Sequence, residues 1–225
     1  MTGTMAKTQH RTPVPGPPFI RLLAALADRN APRTGPDLSD RLSQWIDWTR
    51  AVALSGALDG RLPAPVDAAP VAVDALAKEC ARVRATLVDS ITAPPAAGKP
   101  VPTDPIAYRQ RCLTVQRAML TATGRLRGQL RDRLSAEPGE LPRLAEVDAA
   151  MEQALSPREQ QLLAGVPALL GAHFERLRED AGSAEVDPDS GWLQLFRNDM
   201  QAVLLAELDV RFHPIEGLLA ALRPH

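Results

Sequence analysis

The sequence predicts an all-α protein, an elongated bundle of about seven helices with long antiparallel hairpins, and three observations carry that expectation. The chain has 225 residues, 45% of them hydrophobic, with alanine and leucine dominant, enough apolar material to bury a sizeable core. Apolar residues recur at spacings of three and four through most of its length, the period of one helix face. Aromatic residues make up only 4%, and β-branched residues are scattered rather than clustered, which leaves little from which to build strands.

Residues 1–16 are polar and proline-bearing and read as a disordered tail. Residues 17–225 read as one helical domain, subdivided, if anywhere, at the proline-rich linker 93–104. The first helix starts at Pro18 and carries Phe19, Leu22, Leu23 and Leu26 on one side, until NAPRTGP ends it. A second runs from about 36 to 58, with Leu38, Leu42, Trp45, Thr49 and Val52 in the 4-3-4-3 rhythm of a seam. Trp45 falls in that seam and reads as core. Trp48 sits about 60° away, at the seam's edge, where a tryptophan can anchor a partner.

The third helix, 71–92, aligns Val73, Leu76, Cys80, Val83 and Leu87. APPAAGKPVPTDP follows, a stiff connector suited to a hairpin tip or a boundary. Asp104 and Pro105 then supply a cap and a first-turn proline for a helix reaching about Leu134, about 45 Å long. A fifth helix covers 140–154. The capping box SPRE, with Ser156 as cap and Glu159 reaching back, predicts a sixth helix from there to Asp180, bent at Pro167. The last helix spans Ser190 to Phe212 with Trp192, Phe196, Met200 and Val203 stacked. His213 and Pro214 are expected to kink or stop it, leaving 215–222 as a short coda. No repeat of 20 to 50 residues is evident, which disfavours a solenoid.

Composition narrows the function classes. Net charge is −1, so no global field recruits nucleic acid or anionic membrane. Arginine outnumbers lysine 23 to 3, a bias of composition before it is a function. Cys80 and Cys112 share no metal-type spacing with histidine and read as buried thiols in a reducing cytoplasm. The N-terminal stretch lacks the form of a signal peptide, and apolar runs such as 22–27 fall far short of the ~20 residues that span a bilayer.

Catalytic and ligand motifs are absent. Gly98-Lys99 is followed by Pro100, so no phosphate loop exists. No serine elbow is present, and DPDSGW breaks the calcium-loop pattern at Trp192 and Asn198. His10, His173, His213 and His225 are dispersed, and carboxylate pairs such as Asp180 with Asp187 or Glu207 with Asp209 read as solvated faces. Neither catalytic residues, cofactor nor metal is expected.

The strongest local signal is the 104–134 helix, which bears Arg109, Arg111, Arg117, Arg125, Arg127, Arg131 and Arg133 against only Asp104 and Asp132. Its apolar seam is Tyr108, Cys112, Val115, Met119, Ala122 and Leu126. Arg109, Arg117, Arg127 and Arg131 crowd an adjacent sector. They either pair with the acids that follow, among them Glu137, Glu140, Glu146, Asp148, Glu152 and Glu159, or they face an acidic protein. The partner-binding candidates are therefore Trp48, Arg109, Arg117, Arg127 and Arg131, and reversing Arg117, Arg127 and Arg131 should abolish docking without loss of helicity. The expected function is a non-enzymatic scaffold or adaptor that binds another protein or itself as a homo-oligomer. A nucleic-acid-associated regulator is the alternative, weakened by the lack of surface aromatics beside the arginines, and an enzyme with a concealed site is the third reading.

The stretch FIRLLAAL…LSDRLSQWIDWTRAVALSGAL, residues 19–58, resembles the N-terminal pattern of a proteobacterial family of unknown function of about this length. No catalytic residue is assigned there, so none is carried over. The resemblance implies a cytoplasmic accessory to an envelope machine, since such genes neighbour proteins resembling flagellar-stator-type proton channels and peptidoglycan-binding envelope proteins.

Overall fold

The computed structural model describes residues 17–27, 48–60, 72–94, 102–182 and 190–223. Among them the regular structure is entirely helical: α1 (Pro18–Leu26), α2 (Trp48–Asp59), α3 (Val73–Thr92), α4 (Pro105–Ser135), α5 (Leu141–Leu163), α6 (Val166–Asp180) and α7 (Gly191–Ala221). The predicted tail, residues 36–47 of the second predicted helix with Trp45, and most of the proline-rich connector lie outside the described residues.

Two 31-residue helices, α4 and α7, form the centre of the bundle. They run parallel: Tyr108 meets Phe196 near their N-termini, ring centroids 5.1 Å apart, and Gln116 meets Glu207 further along. α3 returns antiparallel to α4, with Glu79 beside Arg125 at one end and Arg111 beside Ile91 at the other. α5 and α6 also run antiparallel to α4, one after the other, so that Asp148 reaches Arg127 and Phe174 reaches Tyr108. α1 closes one side against α6 and α7.

The core is the helical seam made three-dimensional. Tyr108, Cys112, Val115, Met119 and Leu126 are buried on α4, continued by Leu130 and Leu134. They meet Leu76, Cys80, Val83, Leu87 and Ile91 of α3 and Phe196, Met200, Leu204, Leu208 and Phe212 of α7. Each such leucine or phenylalanine contributes about 1.5–3 kcal/mol by leaving water. At the α6 end, Phe174 packs edge-on against Phe196 and Trp192, centroids 5.0 and 5.2 Å apart, the geometry that ring quadrupoles favour.

α2 stands apart from this core. It packs on α5, contributes nothing to the buried cluster and has no buried residue of its own. α5 separates it from α4: Asp148 and Glu152 point to α4, while Arg143 and buried Ala154 lie round the helix on the α2 side.

Two predicted breaks are corrected. α5 continues through Ser156 and Pro157 to Leu163, so SPRE is not a helix start. The chain turns instead at Ala164 and Gly165, and Pro167 sits in the first turn of α6, where a missing N–H leaves nothing unpaired. Leu163 and Val166, both buried at this turn, anchor it to the core, and that packing outweighs a surface capping motif. Likewise α7 passes through Pro214 without ending. Ile215, Leu218 and Leu222 prolong the buried stripe of Leu208 and Phe212, and burial of three more apolar side chains offsets the roughly 3 kcal/mol an interior proline costs.

Arginine fastens three helix ends. The last turns of α1, α2 and α3 carry no basic residue of their own, and each receives a guanidinium from elsewhere. Arg176 of α6 donates to the Leu26 carbonyl. Arg143 of α5 donates to the carbonyls of Leu58 and Gly60. Arg111 of α4 donates to those of Ile91 and Ala93 at 3.0 and 2.8 Å. Terminal carbonyls lack intrahelical donors and carry the negative end of the helix dipole, so a cation there satisfies both needs.

Candidate functional site

α4 displays the arginines, and Asp104 fixes its start by accepting a hydrogen bond from the Ile106 amide at 2.8 Å. The last residues before the helix are held there too, since the Tyr108 hydroxyl donates to the Pro102 carbonyl at 2.7 Å. From this frame the seven arginines divide sharply by use.

Arg127 and Arg131 are spent inside the bundle. Arg127 forms a two-pronged pair with Asp148, Nη2 to Oδ1 at 2.7 Å and Nε to Oδ2 at 2.8 Å, and approaches Glu152 at 3.4 Å. Arg131 pairs with Glu152 at 2.5 Å and Asp148 at 3.4 Å. These side chains are only 12–28% exposed, so both arginines leave the docking face. A triple reversal including them would gather like charges around Asp148 and Glu152, and folding itself would suffer. Arg125 pairs with Glu79, Arg133 with Glu137, and Arg111 serves the end of α3.

Arg109 and Arg117 are exposed and have no carboxylate partner among the described residues. On the same stripe of α4 stand Leu113, between the two arginines, and Leu120, one turn beyond Arg117, 41% and 42% exposed. Thr114, Arg117, Ala118, Thr121, Ala122 and Arg125 line an open groove of about 510 Å³ beside them. Gly124 and Gly128 continue this low surface, with open space where a Cβ would stand. The two leucines lie off the seam, so the periodicity that marks the core does not mark them. Their seven-residue spacing, off the buried face, was the available signal.

Trp48 is 83% exposed, at the start of α2. Because α5 intervenes, it belongs to a separate surface from Arg109 and Arg117.

The reading of Glu207 as a solvated carboxylate is overturned. It is fully buried, accepting from Arg211 at 3.0 and 2.8 Å and from the Gln116 amide at 2.9 Å. The same amide nitrogen donates to the Leu163 carbonyl at 3.1 Å, so the network ties α4 and α7 to the α5–α6 turn. Both carboxylate oxygens of Glu207 thus meet a donor within the protein, the condition under which a buried charge is tolerated. Asp209, two residues on, is exposed and pairs with Arg84, which also lies 5.3 Å over the Phe212 ring.

Cys80 and Cys112 are free and buried. Burial pushes the Cys112 thiol up to about 12, with the Glu207 charge acting in the same direction, so it is held as an inert thiol. His173 meets Asp199 at 2.7 Å beside Phe196 and links α6 to α7. Among the described residues no group of three or more potential metal ligands converges, and no helix is long and apolar enough to cross a membrane.

Comparison with known proteins places the chain by family alone. No curated protein and no solved structure matches it. The family model for Protein of unknown function (DUF3348) matches residues 5–224, nearly the whole bundle, and the chain belongs to that family.

Proposed function

We propose that the chain is a non-enzymatic helical adaptor of the bacterial cytoplasm, an accessory of envelope machinery, that docks an acidic helix of a partner protein on the outer face of α4. The observation supporting this reading is the division among the arginines: five are engaged within the fold, while Arg109 and Arg117 alternate with the exposed Leu113 and Leu120 and meet no carboxylate among the described residues. Leucines spaced seven apart suit a helix laid along α4, and the unpaired arginines steer and select an acidic one.

A nucleic-acid reading is weakened by the same division, since Arg127 and Arg131 are neutralised by Asp148 and Glu152. Two remaining cations would give only weak, salt-sensitive phosphate contact.

The test places a photo-crosslinking residue at 113 or 120 in the native cell, with Gln153 on α5 as control position. A defined protein crosslinked from the α4 positions and lost with Arg109→Glu/Arg117→Glu supports the reading. Crosslinking unaffected by the reversals overturns it, and retention on DNA at about 150 mM salt favours the nucleic-acid alternative.

A further inference from the structure

We infer that the outer face of α2 is a homodimer surface on which two copies of this chain pack antiparallel about Val52, each Trp48 lying over Gly56 of the partner subunit. The inference concerns a different face from the proposed adaptor site and does not rest on it.

α2 carries apolar residues on both sides, with Arg50 as the one charge before its last residue. Arg50, Ala51, Leu54 and Ala57 face the bundle and are half-buried, while Trp48, Val52, Ser55 and Gly56 face outward and are exposed. Trp48 is 83% and Val52 51% exposed. Apolar residues on two sides of a helix call for cover on both, yet among the described residues α2 packs substantially on α5 alone.

The order of side chains along this face favours a second copy as the occupant. Trp48, Val52 and Gly56 stand four apart, one above the other on a helix surface. Antiparallel pairing about Val52 places Val52 on Val52 and the largest side chain over the position with none. A Cβ at Gly56 would meet nothing within 4 Å, so the space above it is free to receive an indole. That glycine otherwise costs its helix about 1 kcal/mol relative to alanine.

Charge points the same way. A two-fold interface sets each residue against the same surface of its partner. The α4 face, with Arg109 and Arg117, would repel its own copy. The α2 face carries no charge between Thr49 and Leu58 on its outer side, and Asp59 comes only at the helix end. Trp48 alone offers about 200 Å² at its exposure. The two tryptophans of such a pair supply about 400 Å² of the roughly 1,000 Å² that a specific interface needs, which suits a reversible dimer rather than a permanent one.

The test is sedimentation of the full chain across about 1–200 µM, a range that brackets micromolar association. The wild type is expected to show a monomer–dimer equilibrium that Trp48→Ala weakens about thirtyfold or more, the loss expected of a tryptophan anchor. Gly56→Leu is the control for folding: it should keep or raise the melting temperature while weakening the dimer as much as Trp48→Ala. Val52→Cys, on the two-fold axis, should give a disulfide-linked dimer under mild oxidation, whereas Ala81→Cys on α3 should not. A monomer at every concentration overturns the inference, as does a dimer indifferent to Trp48→Ala and Gly56→Leu, or no Val52→Cys crosslink. Those outcomes would assign the α2 face to the chain's own remaining residues or to another protein.

Discussion

Glu207 and Arg211 form an ion pair one helical turn apart in α7, with the carboxylate fully buried and the guanidinium side chain 7% exposed. Removing one partner strands a charge where no water can solvate it. Arg211→Met should therefore destabilise the protein by about 3–5 kcal/mol. Glu207→Gln combined with Arg211→Met should cost much less than the sum of the two single changes. Thermal or urea unfolding of the four proteins in the cycle checks this, and additive losses would show that the two groups act independently.

The guanidinium clamp on α2 predicts a local effect. Arg143→Ala removes the donor shared by the carbonyls of Leu58 and Gly60, on a helix that places no residue in the core. Amide exchange should accelerate across 50–60 while the melting temperature hardly moves. Arg111→Ala, which frees the end of the core helix α3, should lower the melting temperature as well. Equal global effects from the two would contradict the peripheral position of α2.

Pro157 distinguishes two structures by the sign of one substitution. At the first turn of a helix, proline is favoured and Pro157→Ala would be neutral or harmful. Inside a continuous α5, alanine restores a donor for the Gln153 carbonyl and relieves the ring clash. Pro157→Ala should raise stability by about 1 kcal/mol after the loss of proline's restraint on the unfolded chain. A fall in melting temperature would favour a helix boundary at Ser156.

Charge reversal should separate the two arginine classes. Arg109→Glu with Arg117→Glu touches exposed, unpaired groups and should change stability by less than about 0.5 kcal/mol. Arg127→Glu with Arg131→Glu sets four acidic side chains together on the α4–α5 seam and should destabilise markedly, with partial recovery when Asp148→Lys and Glu152→Lys are added. Circular dichroism melts of the three variants decide it.

Cys112 gives the chain an alkaline limit. In the unfolded chain its thiol ionises near its ordinary value, whereas the fold keeps it protonated up to about 12. Above pH 9 the native state thus binds the extra proton, and stability must decline as pH rises from there toward 12. Below pH 9 this group contributes no pH dependence. Cys112→Ala should flatten that decline, and at pH 8 iodoacetamide should label Cys80 and Cys112 only at the rate of global opening.

Much of the fold was legible because helices announce themselves locally. The seam Tyr108 to Leu126 and its counterpart on α3 were visible as spacing, and so was the Asp104–Pro105 start. The helix start expected at Ser156 and the stop at Pro214 fail for one cause: a capping motif and a proline are short-range signals, and both are overridden by apolar side chains buried against distant helices. Trp48 was legible as an edge residue. The exposed Leu113 and Leu120 were not, since leucine off the seam looks like ordinary variation until neighbouring helices are in place.

By itself, then, the sequence determined which segments coil and which stripe of each turns inward, because hydrophobic periodicity acts within a few turns of one chain segment. Tertiary structure alone decided where the arginines go. Arg109, Arg117, Arg127 and Arg131 share a residue type, a helix and nearly a sector, yet two meet Asp148 and Glu152 of an antiparallel neighbour and two meet no carboxylate among the described residues. A long cation has no fate in its own sequence context; it pairs or stays free according to what the adjoining helix brings within reach. The same holds for Glu207, whose burial is set by the meeting of α4, α7 and the α5–α6 turn around it.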